Sequence, residues 1–150
     1  MEKLNFPNYK LLLKNRENIP YIFDRIRKKW VLCSPEEWVR AHCVHYLNET
    51  KGYPASWMRV EQEIKVYNTR KRFDLVVSNE KMNPHILIEC KAPAVVINQK
   101  TFDQISRYNL ALKCPFLMIS NGLNHYFCKM DFEENRLSFI KDLPNYNRTL

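Results

Sequence analysis

The chain has 150 residues, enough for one domain with a sizeable core, and its 45% hydrophobic and 27% charged residues describe a globular protein rather than a disordered one. A net charge of +8, with a pI near 9.3, suits a polyanionic partner. No apolar run approaches the roughly 18 residues a membrane span needs, and the opening MEKLNFPNYK lacks a signal-peptide core, so a soluble cytoplasmic protein with no membrane partner is expected.

Residues 1–20 read as a polar arm containing Pro7 and Pro20. Tyr21 to Asp24 and Trp30 to Leu32 predict a small hairpin closed by the basic turn Arg25-Ile26-Arg27-Lys28-Lys29. Ser34-Pro35-Glu36-Glu37 opens a helix running to about Thr50. Ser34 can cap it, Pro35 fits its first turn, and Glu37 is placed to complete a capping box; Gly52 ends it. Val60 to Tyr67, Phe73 to Val77 and His85 to Lys91 predict three strands, and about Gln99 to Lys113 a second helix. Phe116 to Ile119 and His125 to Lys129 flank Asn121-Gly122, a hairpin signal, and Leu137 to Ile140 adds an edge strand. Residues 141–150 form a tail, and no linker divides the chain, so residues 1–150 are expected to form a single domain. The five cysteines are scattered without a C-x-x-C pair, which points to reduced core residues rather than disulfides or zinc.

The stretch Arg72 to Lys91 carries the chemistry. Asp74 interrupts one apolar strand, and the next ends in Ile88-Glu89-Cys90-Lys91. Glu89 and Lys91, two residues apart, leave one face of the sheet, while Ile86, Ile88 and Cys90 face the other. Charges in apolar strands cost several kcal/mol unless they pair or bind a metal, so two carboxylates and a lysine so placed suggest a hydrolytic metal site.

The pattern Asp74…Glu89-x-Lys91 resembles the motif of the PD-(D/E)xK nuclease superfamily, with Phe73 where the family usually has Pro. Gln104…Tyr108 is similar to the Q-x-x-x-Y element that follows the catalytic lysine in the exonuclease-like and resolvase-like branch. The run from Tyr21 through Arg40, then IECKAP and the turn Asn121-Gly122-Leu123, resembles the N-terminal nuclease domain of type I restriction enzyme R subunits over roughly residues 20 to 140.

The resemblance implies an α/β (α+β) restriction-endonuclease-like core: a central mixed sheet of four to five strands flanked by helices, in the order α-β-β-β-α-β, with the N-terminal hairpin as an extension. It also implies a Mg²⁺- or Mn²⁺-dependent deoxyribonuclease. Asp74 and Glu89 would hold the cation with the Cys90 backbone carbonyl. Lys91 would orient or activate the water and offset charge on the pentacovalent phosphorus. Gln104 and Tyr108 would face the site. The family's first helix carries an acidic residue, for which Glu37 and Glu36 are rivals: Glu37 has a capping job, whereas Glu36 shares the helix phase of Val39, Cys43 and Leu47. Glu63 is a further possible ligand, with edge-strand solvation as its competing explanation. Arg25, Arg27, Lys28, Lys29 and Arg70, Lys71, Arg72 would meet DNA phosphates.

Type I R subunits couple such a domain to an ATP-driven motor. With only Gly52 and Gly122, the P-loop G-x-x-x-x-G-K-[ST] has no place here. The chain is therefore expected to be a stand-alone nuclease-like domain, or to meet a motor, specificity, restriction or helicase subunit in trans. The competing functions are a nucleic-acid-binding module that does not cut, and a docking subunit of a restriction or repair complex.

Overall fold

Short Val-, Ile- and Phe-rich runs make this a strand-dominated chain, and its strands sort into two sheets in the computed structural model, which describes residues 1–66 and 68–146. The expected strand end at Tyr67 and the last four residues of the tail lie outside those residues.

The first sheet is antiparallel, with β1 (Leu13–Arg16), β2 (Ile19–Asp24) and β3 (Lys29–Leu32) in that order. Glu17 and Asn18 link β1 to β2 with φ of 53° and 63°, the left-handed pair that a tight hairpin needs. In the next turn Asp24 Oδ1 accepts the backbone N–H groups of Ile26 (2.8 Å) and Arg27 (2.9 Å). The first twenty residues are thus not simply a polar arm. Leu13–Arg16 is a strand because β2 offers it a ladder. The residues before it are docked: Leu4 is buried, the Asn5 N–H donates to Gly122 O at 2.8 Å, and Trp38 Nε1 donates to Glu2 O at 2.6 Å.

Helix α1 (Pro35–His45) continues into a single π-helical turn, Tyr46–Thr50, and Gly52 follows at φ +85°. Ser34 Oγ caps it, accepting the Glu37 N–H at 3.1 Å. The expected reciprocal bond is replaced. The Ser34 N–H donates to Leu32 O at 3.0 Å, which leaves the Glu37 carboxylate free to meet two arginines.

The second sheet holds β4 (Met58–Val66), β5 (Thr69–Ser78), β6 (Pro84–Cys90), β7 (Phe116–Ser120), β8 (His125–Asp131) and β9 (Arg136–Ile140), each beside its neighbour in the chain. Its pairs are antiparallel except β6–β7, which is parallel and crossed by α2 (Gln99–Leu112). The sheet has six strands rather than four or five because β9 pairs along its whole length with β8. The architecture is mixed α/β, with two sheets and two helices.

Both faces of the large sheet are covered. Val39, Cys43 and Leu47 pack with Leu75, Val77, Ile86, Ile88 and Cys90 on one side; Phe102 and Ile105 of α2 pack with Phe73, Val76, Leu87 and Leu117 on the other. The alternation of Ile86, Ile88 and Cys90 against Leu87 follows the strand pleat. Asn109, on the buried face of α2, satisfies its amide on the Cys114 N–H and C=O, both at 2.9 Å. All five cysteines are buried and free. Among the described residues no helix is long and apolar enough to cross a membrane.

Candidate functional site

The β5–β6 ladder runs from Ser78–Pro84 to Leu75–Ile88 and stops. One residue beyond that last pair, Asp74 Oδ2 accepts the Cys90 N–H at 2.8 Å, so a side chain takes over where the strand ladder ends. The neighbouring ladder breaks at the same level. Val60–Leu75 and Gln62–Phe73 pair, but Glu61, which lies opposite Asp74, takes φ +54°. A left-handed non-glycine residue costs roughly 1–2 kcal/mol. Ion pairs offset it here, since Glu61 lies 3.3 Å from Arg27 Nη1 and 3.4 Å from Arg40 Nη1.

Glu89 and Lys91 line one pocket with Gln104 and Tyr108 of α2 and with Lys71 and Phe73 of β5. Lys91 Nζ lies 3.5 Å from Glu89 Oε1, and Lys71 Nζ sits 4.6 Å from the centre of the Tyr108 ring. The Phe73 ring meets Tyr108 edge-on at 6.5 Å. Burial, and then the negative charge of Asp74, push the Glu89 carboxyl up to about 7; Lys91 and Lys71 act in the opposite direction. The pleat therefore delivers the Glu89–Lys91 pair, and the i, i+4 spacing of Gln104 and Tyr108 delivers the helix side of the same pocket.

Arg40 organises the other side of Asp74. Its side chain is 4% exposed, and its guanidinium lies 2.6 Å from Glu37 Oε1, 3.3 Å from Glu36 Oε1, 3.4 Å from Glu61 Oε1 and 3.5 Å from Asp74 Oδ1. Of the two helix carboxylates, Glu37 is held by Arg40 and by Arg27 Nη2 (2.9 Å). Glu36 is the one whose carboxyl rises through burial and the proximity of Asp74, with Arg40 and Lys91 opposing the rise. Sequence reasoning missed Arg40 and Glu61. The i, i+4 and i, i+3 spacing of Arg40 from Glu36 and Glu37 was the available signal; nothing in the sequence marked Glu61.

The basic clusters divide. Arg25 donates to Asn48 Oδ1 at 3.0 Å and lies 3.3 Å from His45 Nδ1, and Arg27 is engaged by Asp24, Glu37 and Glu61. Lys28 and Lys29 remain exposed. Arg70 and Arg72 are also exposed, with Arg70 3.4 Å from Glu63 and Arg72 4.0 Å from Glu61, whereas Lys71 turns into the pocket. Glu63 thus meets Arg70 at the surface.

Among the described residues no group of three or more His, Cys, Asp or Glu side chains is arranged to hold a metal ion. Two carboxylates, Asp74 and Glu89, are what a Mg²⁺ that keeps several waters would need. The charge of Asp74 adds to the cost of ionising Glu89, and a hard cation beside Glu89 would remove that cost.

Residues 35–144 match the family model described as the type I restriction enzyme R protein N terminus. Among solved structures, the fold is similar to a fragment structure described as an HsdR subunit of a type I restriction enzyme from Vibrio vulnificus YJ016. The TM-score is 0.54 and the identity 16%, over 75% of this chain and 24% of that one. At that identity the likeness concerns the fold alone, and this chain spans about a quarter of that chain's length. No curated protein matches.

Proposed function

We propose that this chain, which belongs to the type I restriction enzyme R protein N-terminus family, serves restriction as a DNA nuclease domain of the PD-(D/E)xK type. The observation that carries the reading is the shared pocket of Glu89, Lys91, Gln104 and Tyr108, with Asp74 bonded to the backbone of Cys90 beside it.

Asp74 and Glu89, with the Cys90 carbonyl, would hold Mg²⁺ or Mn²⁺. When bound, that cation polarises the phosphate and makes water a better nucleophile. Lys91, held beside Glu89 and partly exposed, places its ammonium against the charge that develops on phosphorus. Gln104 and Tyr108 offer amide and hydroxyl donors from the helix side and orient the phosphate. Lys71 adds a second cation over the Tyr108 ring. Arg40 fixes the orientation of Asp74 through its other oxygen. Lys28, Lys29, Arg70 and Arg72 supply duplex phosphate contacts, and translocation would come from a motor working with this domain.

The test is digestion of supercoiled, linear and single-stranded DNA with Mg²⁺, Mn²⁺ or chelator. Metal-dependent nicking that disappears in Lys91→Ala is expected. No cutting of any substrate with either metal overturns the enzyme. The second reading, a nucleic-acid-binding module that does not cut, draws on Arg40, whose guanidinium already offsets the Asp74 charge without a cation.

A further inference from the structure

The N-terminal sheet has two faces of different character. Register puts Ile22 and Asp24 on the face against α1, where both line the seam with Val44. The opposite face carries Lys14 and Arg16 from β1, Ile19, Tyr21 and Phe23 from β2, and Trp30 and Leu32 from β3. Among the described residues no element covers it: Trp30 is 39% exposed, Ile19 43% and Leu32 54%. Lys14 Nζ rests 4.3 Å from the centre of the Trp30 ring, and Phe23 meets that ring edge-on at 5.5 Å. Neither Lys14 nor Arg16 forms a salt bridge among the described residues. The face carries no carboxylate.

We propose that this face of β1–β3 is a platform for single-stranded nucleic acid, with a base stacked on Trp30 and phosphates on Lys14 and Arg16. Charge and shape choose the occupant together. A wholly cationic face selects a polyanion. Its aromatic and aliphatic floor selects a polyanion that also presents flat apolar groups, which unpaired bases do and a duplex, whose bases are stacked on one another, does not. Lys14 exchanges the ring for a phosphate, freeing the side of Trp30 it now covers. The sheet is joined to the candidate site through its turn: Arg27, between β2 and β3, pairs with Glu61, opposite Asp74. The proposal takes its nucleic-acid partner from the reading above but does not depend on cleavage.

The test uses the full chain in chelator, with fluorescein-labelled dT20, a duplex of equal length, and polyphosphate as a probe of charge alone. Quenching of tryptophan emission by dT20 is expected. Trp30→Ala should weaken dT20 binding roughly tenfold and leave duplex binding within about twofold. Lys14→Ala/Arg16→Ala should lower the salt slope for dT20 by roughly 1.4, at about 0.7 per phosphate on a single strand. If Trp30→Ala disturbs the fold by circular dichroism, Trp30→Phe replaces it and should retain most of the binding. Equal dT20 affinity in wild type and both variants overturns the platform, as does displacement by polyphosphate as effective as by dT20. A wild-type dimer that Trp30→Ala converts to monomer makes the face a contact between copies and also overturns it. Strand binding without plasmid nicking in Mg²⁺ removes the nuclease and leaves the platform standing.

Discussion

Asp74 Oδ2 accepts the Cys90 N–H at 2.8 Å where the β5–β6 ladder has just ended, so one carboxylate closes the backbone while its charge, after burial, helps to raise the Glu89 carboxyl. An amide keeps the hydrogen bond and loses the charge. Asp74→Asn is expected to retain the fold and to weaken Mg²⁺ binding at least tenfold in calorimetric titration. Unchanged metal affinity in that variant excludes Asp74 as a ligand.

The pH profile tests the same pair. The Glu89 carboxyl is raised in the folded chain from 4.5 to about 7, so its stabilising contribution is full below pH 4.5 and lost as pH rises through 7. That loss is on the order of 3 kcal/mol. Wild type in chelator should therefore lose more stability between pH 4.5 and 7.5 than Glu89→Gln does. Saturating Mg²⁺ should flatten the wild-type curve, since the cation favours the ionised carboxylate. Parallel melting curves for the two proteins across that range would remove the assigned cause.

On the proposed mechanism Lys91 acts on substrate rather than on the fold; it is partly exposed and, among the described residues, forms an ion pair with Glu89 alone, at 3.5 Å. Lys91→Ala should reduce Mg²⁺-dependent nicking by at least about 10²-fold. Metal affinity measured at pH 8 and melting temperature should stay close to wild type. Cutting at the wild-type rate rules out the mechanism.

Arg40 is the opposite case. Its buried guanidinium serves Glu36, Glu37, Glu61 and Asp74, and its Nε has no hydrogen-bond partner among the described residues. Arg40→Met strands carboxylates around an apolar side chain and should cost about 3–5 kcal/mol in urea unfolding. A change under 1 kcal/mol would mean that the cluster is neutralised by solvent instead.

Duplex DNA affinity should fall with salt. Arg70→Ala and Arg72→Ala should each reduce the slope of log affinity against log salt by roughly 0.9. Arg27→Ala should leave the slope alone and lower stability, because Asp24, Glu37 and Glu61 hold that guanidinium. Binding that ignores salt would take duplex DNA out of the reading.

The sequence was legible wherever local pattern decides the outcome. The pleat places Glu89 and Lys91 together, the helix repeat places Gln104 and Tyr108 together, and Asn121-Gly122 joins β7 to β8. It was opaque where a polar side chain chooses between water and a distant partner. Glu37 leaves its capping role for Arg27, ten residues away in the chain, and Arg25 turns inward to Asn48. Leu13–Arg16 has no strand pattern of its own and acquires one from β2. The left-handed Glu61 is imposed by tertiary contacts on a residue whose own preference is otherwise.

Every strand of the large sheet pairs with its chain neighbour, and only β6–β7 must wait for a helix to cross over. Hairpins close over short loops, whereas that crossover encloses the whole of α2 and carries a larger closure entropy. Glu89 and Lys91 lie at the end of β6, and Gln104 and Tyr108 lie on the crossing helix. The candidate site is therefore assembled by the join with the largest closure cost in the sheet. A refolding chain should regain most of its β-sheet circular dichroism before it regains metal affinity, and the uncommitted intermediate would be harmless to DNA.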